Sequence, residues 1–96
     1  MNIILKNRCG GKTHDLIRMS AETGIPIVSM NPAVVKVMAK EYGLVIPEPM
    51  SITDCIRAGD LGAQVYVDEI DAILGKLLHA KPVCGTMTPD HMSIDL

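Results

Sequence analysis

The chain has 96 residues, a formal net charge of −2 and an apolar content of 48%, with two Tyr and no Phe or Trp. This length suits one domain with a single modest core of Ile, Leu, Val and Met. The acidic balance is not that of a protein that grips nucleic acid unaided, and the scarcity of aromatic side chains argues against base-stacking platforms.

The chain carries no apolar run as long as a membrane span, and the run near its start is too short for a signal peptide. Cys9, Cys55 and Cys84 are widely spaced and form no C-x-x-C motif, which favours reduced thiols. We therefore expect a cytoplasmic protein that does not enter a membrane.

The first predicted elements are a strand and a helix. Residues 2–6 predict a short buried strand, because three consecutive apolar residues show no alternation. Residues 12–23 have apolar and small side chains on one helical face, and Gly24 stands where a glycine would end that helix.

A second strand and helix follow. Residues 26–30 predict another buried strand, with its proline at the start. Asn31 and Pro32 are typical of a helix N-cap and first turn, and Gly43 would end a helix that runs to about residue 42. We expect this helix to bury five side chains: Val34, Val35, Met38, Ala39 and Tyr42.

The second half is less regular. Residues 44–49 should be extended because they contain two prolines, and residues 51–58 predict a short helix between a serine cap and Gly59. A strand is expected at 64–68 and a last short strand at 82–86. Between them we expect an amphipathic helix whose apolar positions run from 70 to 78 and which Lys81-Pro82 breaks. The helix at 70–78 should bury Ile70, Ile73, Leu74, Leu77 and Leu78.

Strand–helix alternation predicts an α/β fold, a three-layer α/β/α arrangement around a short, mostly parallel sheet. We expect a single domain over residues 1–88 and a polar tail at 89–96. Ligands bind at the carboxyl ends of the strands in such sheets.

The first candidate site lies between the first strand and the first helix, where Gly10, Gly11, Lys12 and Thr13 stand together. Gly-Lys-Thr at such a junction is the core of a phosphate-binding P-loop. The backbone N–H groups surround an anion, the lysine reaches the β/γ-phosphates and the threonine hydroxyl holds Mg²⁺. The first glycine of the full pattern is replaced by Lys6.

The second candidate is Asp68 with Glu69, two acids at the end of a predicted apolar strand. A P-loop needs a carboxylate at the end of a nearby strand to hold Mg²⁺, and a second one can polarise an attacking water. The alternative is an acidic first helical turn favoured by the helix dipole. The presence of Gly-Gly-Lys-Thr in the same chain favours the site.

With both motifs, the chain resembles P-loop NTPases of the RecA-like group, and within it the first half of a helicase core. Residues 10–13 match the end of Walker A and residues 65–69 match Walker B with its glutamate. Residues 85–88 stand where helicases keep a Ser/Thr-rich coupling motif. The opening also resembles small P-loop proteins of phages of Gram-positive bacteria, in which a glycine stands where this chain has Cys9.

The resemblance implies ATP and Mg²⁺ as cofactors. Thr13 and Asp68 would hold the metal, and Lys12 and Glu69 would be the catalytic residues. The loop that touches the nucleotide would comprise Arg8, Cys9, Gly10, Gly11, Lys12, Thr13 and His14, although for His14 a solvent-facing side chain is slightly favoured. An arginine finger would come from another copy or a partner, with Arg8 as the candidate within the loop.

Two functions remain open from the sequence. One is an ATP-binding protein with weak or partner-dependent hydrolysis that serves the nucleic-acid metabolism of a phage or mobile element in the host cytoplasm. The other is an interaction protein that keeps the P-loop fold without turnover. A third interpretation is a plain α/β domain in which the motifs are coincidental.

Partners and metals have alternatives too. A homo-oligomer or a larger phage or host complex is compatible with the resemblance. Nucleic acid could contact Lys36 and Lys40, although a solvated helix face explains them better. Scattered cysteines and histidines could bind zinc, but their spacing favours free thiols and solvated rings. These residues are Cys9, His14, Cys84 and His91.

Overall fold

Short parallel strands alternate with helices along this chain. The computed structural model describes residues 3–4, 11–59, 62–86 and 94–95. Its strands and helices confirm a small mixed α/β fold. The strands are β1 (Ile3–Ile4), β2 (Ile27–Val28), β3 (Tyr66–Val67) and β4 (Ile94–Asp95), and the helices are α1 (Lys12–Thr23), α2 (Pro32–Glu41), α3 (Ile52–Ala58) and α4 (Ile70–Leu78).

The strands form two parallel pairs. In one pair Ile27 lies opposite Tyr66, so that β2 and β3 end at the same edge. Met50 bridges to the other side of β2, where its N–H donates to the Ile27 carbonyl at 2.8 Å. The second pair joins β1 to β4, with Ile3 opposite Ile94. The carboxyl end of β2 is therefore held from both sides.

Helices α1 and α2 begin and end close to the predicted positions. Gly24 adopts φ 76° and donates its N–H to the Ser20 carbonyl, as expected for a glycine that ends α1. Pro32 lies in the first turn of α2, and Gly43 follows its end with φ 70°. The bounds of α1 are the predicted ones because its stop signal is local.

The core lies where α1 and α2 meet β2. Ile17, Ile27, Val35 and Ala39 form a buried cluster, and five partly buried side chains surround it: Leu16, Met38, Leu44, Ile46 and Tyr66. Burial of such aliphatic groups stabilises the fold by about 1.5–3 kcal/mol per fully buried side chain. Helix α2 contributes only Val35 and Ala39 to the buried cluster, which is fewer side chains than its sequence pattern predicts to be buried.

The expectation that α2 buries Val34 and Tyr42 is wrong, because both side chains are exposed. Val34 lines a surface cleft. The Tyr42 ring packs against His14 of α1, with 4.3 Å between ring centroids and 30° between ring planes. Both residues therefore lie beside the buried side chains of α2, Val34 at the cleft and Tyr42 against α1.

The short helix α3 has the predicted caps. The Ser51 Oγ accepts a hydrogen bond from the Asp54 N–H at 3.1 Å, and Gly59 follows with φ 62°. The hydroxyl thereby satisfies one of the N–H groups that a helix start leaves unpaired. Residues 44–49, which precede this helix, are outside any helix or strand, as expected for a segment with two prolines.

Helix α4 begins at the first predicted apolar position and ends before the predicted break at Lys81-Pro82, and it buries much less than predicted. Of its five apolar positions only Ile73 is buried, Ile70 is half-buried, and three leucines are exposed: Leu74, Leu77 and Leu78. Among the described residues, no other helix or strand packs closely along α4. The amphipathic pattern therefore predicted the helix correctly and its burial wrongly.

The end of the chain differs from the prediction. Residues 82–86 form no strand, and Val83 is exposed. Pro82 has no N–H for a strand ladder, so this segment is poorly suited to pairing. Instead β4 pairs with β1, inside the segment 89–96 that we expected to be a tail. None of the described helices combines the length and apolar content that a membrane crossing requires.

Candidate functional site

The start of α1 and the end of β3 meet at one place on the surface. Lys12 and Thr13 are the first two residues of α1, directly after Gly11, whose φ of 78° favours glycine. The Asp15 N–H donates to the Gly11 carbonyl at 3.0 Å and closes the first turn. Asp68 directly follows β3, and its N–H donates to the Val28 carbonyl at 3.0 Å. Two regular elements therefore position the two predicted motifs.

A hydrogen bond joins these motifs. The Thr13 hydroxyl donates to the Asp68 carboxylate, with its Oγ1 3.2 Å from Oδ2 and 3.3 Å from Oδ1. Asp68 is only 8% exposed. Because Asp68 is buried, this hydrogen bond is stronger than the same bond would be on an exposed surface.

The environment of Asp68 raises the pKa of its carboxyl above the ordinary value of 3.8. Burial is the largest cause, because a charged carboxylate loses its water shell, and the nearby charge of Glu69 acts in the same direction. The hydrogen bond from Thr13 and the charge of Lys12 oppose the rise. A cation placed beside Asp68 would favour its charged form.

A second contact between the motifs is an ion pair. The Lys12 Nζ lies 3.0 Å from the Glu69 Oε1, and their side chains are 26% and 45% exposed. Glu69 adopts φ 56° and ψ 63° at the N-cap position of α4, and its side chain caps no N–H group. A left-handed conformation of a non-glycine residue costs of order 1–2 kcal/mol. Such strain is often stored at functional sites.

A cleft of about 200 Å³ opens beside these contacts. Thr13, Asp68 and Glu69 line one side, and Ser29 and Asn31 line it from the connection between β2 and α2. Apolar side chains of α2 complete the wall. Pockets for drug-sized ligands have volumes of about 300–1,000 Å³. The cleft is therefore large enough for a small group or for part of a larger ligand.

The structure brings together Lys12, Thr13, Asp68 and Glu69 of the predicted site residues. Gly11 precedes them and is exposed. His14 does not line the cleft, since its exposed ring packs against Tyr42. The remaining predicted loop residues lie outside the described residues: Arg8, Cys9 and Gly10. Residues 85–86 of the proposed coupling motif are exposed and irregular, and residues 87–88 also lie outside.

Two cleft residues were missed in the sequence analysis, Ser29 and Asn31. A signal for them existed, because both follow β2 directly and ligands bind at the carboxyl ends of parallel strands. Asn31 was interpreted only as a helix cap. Yet its side chain makes no capping hydrogen bond in the structure.

The donor set of the site can be compared with what metals require. Within residues 11–59 and 62–86, no three His, Cys, Asp or Glu side chains come together as a metal cluster. Thr13 and Asp68 supply a hydroxyl and a carboxylate, the oxygen ligands that Mg²⁺ prefers. Mg²⁺ is usually held by one or two carboxylates together with substrate phosphates. The pair therefore fits a shared magnesium site and not a complete protein cage.

A hydroxyl and two carboxylates line one cleft at the start of α1, and Lys12 reaches this site through its ion pair with Glu69. These groups suit an anion that arrives with a divalent metal. The zinc alternative involves Cys9 and His91, which lie outside the described residues, while His14 packs on Tyr42 and Cys84 is exposed.

Comparison of the chain with protein-family models, with curated proteins and with solved structures finds no match. What the site can do is therefore inferred from its own contacts and chemistry.

Proposed function

We propose that this chain is a minimal P-loop domain that binds ATP with Mg²⁺ and hydrolyses it weakly or only with a partner. The observation that carries this proposal is the contact between two motifs 55 residues apart, Thr13 with Asp68. Parallel strands bring the residues that follow them to one edge in any α/β domain, so the support comes from the direct hydrogen bond to a buried carboxylate and not from proximity alone. The ion pair between Lys12 and Glu69 brings the motifs together a second time.

Each residue has a role in this proposal. Lys12 binds the β- and γ-phosphates, and the backbone of Gly10 and Gly11 surrounds them. Thr13 and Asp68 hold Mg²⁺, which neutralises phosphate charge when it is bound. Arg8, Cys9 and His14 would contribute the flanking loop contacts that the resemblance implies.

Glu69 is the proposed group that orients the attacking water. As a partly exposed carboxylate at the cleft, it can accept a hydrogen bond from that water. In the structure the Glu69 carboxylate forms an ion pair with Lys12. Lys12 must therefore leave Glu69 before either residue can perform its role.

We expect weak hydrolysis because the arginines that the structure describes do not line the cleft. Arg18 pairs with Asp15 at 3.8 Å, and neither Arg18 nor Arg57 lines the cleft. Phosphoryl transfer usually needs an additional positive charge on the leaving phosphates. We propose that a second copy or another protein supplies it, so that a homo-oligomer or a larger complex would be the active form.

The proposed fold is a RecA-like core in which both parallel strand pairs belong to one sheet between two helical layers. The parallel direction of both pairs supports this arrangement. A role in phage nucleic-acid metabolism in a host cytoplasm rests on the sequence resemblance alone.

A second candidate function is an interaction protein without turnover. The exposed leucines of α4 favour it, because an apolar helix face commonly marks a protein contact. The neutralisation of Lys12 by Glu69 is also compatible with it. In this case the cleft would bind nucleotide weakly or not at all.

Calorimetry of Mg²⁺-ATP binding tests the main proposal. Wild type should bind with a micromolar Kd, on the order of −8 kcal/mol, and Lys12→Ala should abolish the binding. Lys36→Ala is the matched control, since Lys36 also pairs with a glutamate, Glu48 at 3.1 Å, and Glu48 does not line the cleft whereas Glu69 does. Absence of binding at millimolar nucleotide would reject the proposal and favour the interaction protein.

A further inference from the structure

The connection between β2 and α2 is held firmly in place at the cleft. The Ser29 N–H donates to the Met50 carbonyl at 3.0 Å, and the Ser29 Oγ accepts from the Asn31 N–H at 3.0 Å. Ser29 is only 5% exposed. The Asn31 carbonyl accepts the first hydrogen bonds of α2, from Val34 and Val35. The backbone at Asn31 is thus fixed before any ligand arrives.

The side chains of Ser29 and Asn31 nevertheless keep unused hydrogen-bond donors. Asn31 stands at the N-cap of α2, yet its amide makes no capping bond and contacts no partner within the described part of the chain. The Ser29 hydroxyl accepts one hydrogen bond, and its own hydrogen has no acceptor among the same residues. Both residues line the cleft. An N-cap asparagine that does not cap its helix is available for a ligand.

The electrostatics of the cleft indicate which ligand these donors suit. The first turns of both α1 and α2 border the cleft, and a helix start carries partial positive charge. Pro32 removes one backbone N–H from the start of α2. Neutral side-chain donors can replace it without adding charge. Because two carboxylates also line the cleft, an anion would bind there only with a cation.

The cleft volume limits the size of that anion. About 200 Å³ accommodates phosphate groups and leaves a whole nucleotide outside. A phosphate that contacts Thr13 and faces Glu69 would lie between these residues and the connection that bears Asn31. In the proposed function, the group in that place is the terminal phosphate.

We propose that Asn31 and Ser29 form a subsite for the terminal phosphate of the nucleotide, so that Asn31 sets the preference for ATP over ADP. This inference rests on the proposed function. The Asn31 amide and the Ser29 hydroxyl donate hydrogen bonds to phosphate oxygens on the side opposite Asp68 and Glu69. ADP lacks the group that they bind.

The test compares Kd values of Mg²⁺-ATP and Mg²⁺-ADP by calorimetry for wild type, Asn31→Ala and Asn31→Asp. Wild type should prefer ATP. Asn31→Ala should weaken ATP binding by about 10- to 150-fold, the range for one hydrogen bond to a charged group, and change ADP binding by less than about 2-fold. Asn31→Asp should weaken ATP more, because its carboxylate repels phosphate.

Thermal unfolding without nucleotide separates binding from a structural role. Because the Asn31 side chain caps nothing, Asn31→Ala should shift Tm by less than about 2 °C. The matched control is Gln64→Ala, which removes an exposed amide outside the cleft and should alter neither Kd.

The outcomes distinguish this inference from the function on which it rests. If wild type binds both nucleotides and Asn31→Ala leaves the ATP-to-ADP preference unchanged, the subsite alone is rejected. An equal loss of ATP and ADP affinity also rejects it, because a terminal-phosphate contact cannot act on ADP. If wild type binds neither nucleotide, the proposed function fails and the subsite fails with it.

Discussion

The ion pair between Lys12 and Glu69 predicts an effect of Glu69→Gln that a purely catalytic glutamate would not have. In the structure the lysine that should bind phosphate is occupied by a carboxylate 3.0 Å away. In the proposed function, nucleotide binding must break this pair. Glutamine keeps the shape of the side chain but removes its charge, so the variant should bind Mg²⁺-ATP more tightly than wild type while losing hydrolysis.

The magnitude follows from the exposure of the pair. With side chains 26% and 45% exposed, Lys12 and Glu69 form an ion pair close to the surface. Such pairs contribute about 0.2–1 kcal/mol. Breaking one on binding lowers affinity by about 1.4- to 5-fold, at 1.36 kcal/mol per factor of ten. Glu69→Gln should recover that factor and change the free energy of unfolding by less than about 1 kcal/mol.

Calorimetry for Kd and a phosphate-release assay for turnover test this prediction. The control is Glu48→Gln, which breaks the pair between Lys36 and Glu48 outside the cleft and should leave Kd unchanged. Weaker ATP binding by Glu69→Gln would refute the reasoning, because Glu69 would then support the nucleotide instead of competing for Lys12.

Two further changes test the burial on which the site and the fold depend. Since the pKa of Asp68 is raised, the folded state holds its proton more tightly than the unfolded chain, and this contribution to stability is lost as pH rises from 3.8 through the folded pKa. In denaturant titrations without metal, Asp68→Asn should thus be more stable than wild type above that window, and equal stability at neutral pH would contradict the assigned burial. Ile17→Ala, at a side chain with 0% exposure, should lower the free energy of unfolding by about 2–5 kcal/mol in urea, and a loss below about 1 kcal/mol would place Ile17 outside the core.

The features predicted correctly from the sequence are those set by neighbouring residues. Gly24 ends α1 and Ser51 caps α3, because a left-handed glycine and a hydroxyl cap act within one turn. Burial was predicted less well, since it depends on which elements pack together. Three leucines of α4 fit a helical face but find no closely packed element among the described residues.

The candidate site also has features that the sequence predicts and features that it does not. Lys12 with Thr13 and Asp68 with Glu69 could be predicted because parallel strands end at one edge, where the motifs that follow them meet. The direct contact between Lys12 and Glu69 could not, because the sequence does not predict the positive φ at Glu69, the residue that pairs with Lys12. The role that we propose for Asn31 could not be predicted for another reason. Its position is typical of a cap, and only the three-dimensional structure reveals that the side chain does not cap.

The energies at Glu69 indicate which part of this residue can move. Its left-handed backbone costs of order 1–2 kcal/mol, whereas its ion pair with Lys12 contributes about 0.2–1 kcal/mol. The pair therefore cannot hold the backbone in place by itself. Two neighbouring hydrogen bonds hold this backbone, one from the Asp68 N–H to the Val28 carbonyl and one from the Ile73 N–H to the Glu69 carbonyl. In the proposed function, phosphate would take Lys12 and release the Glu69 carboxylate at the cleft while the backbone of Glu69 stays fixed.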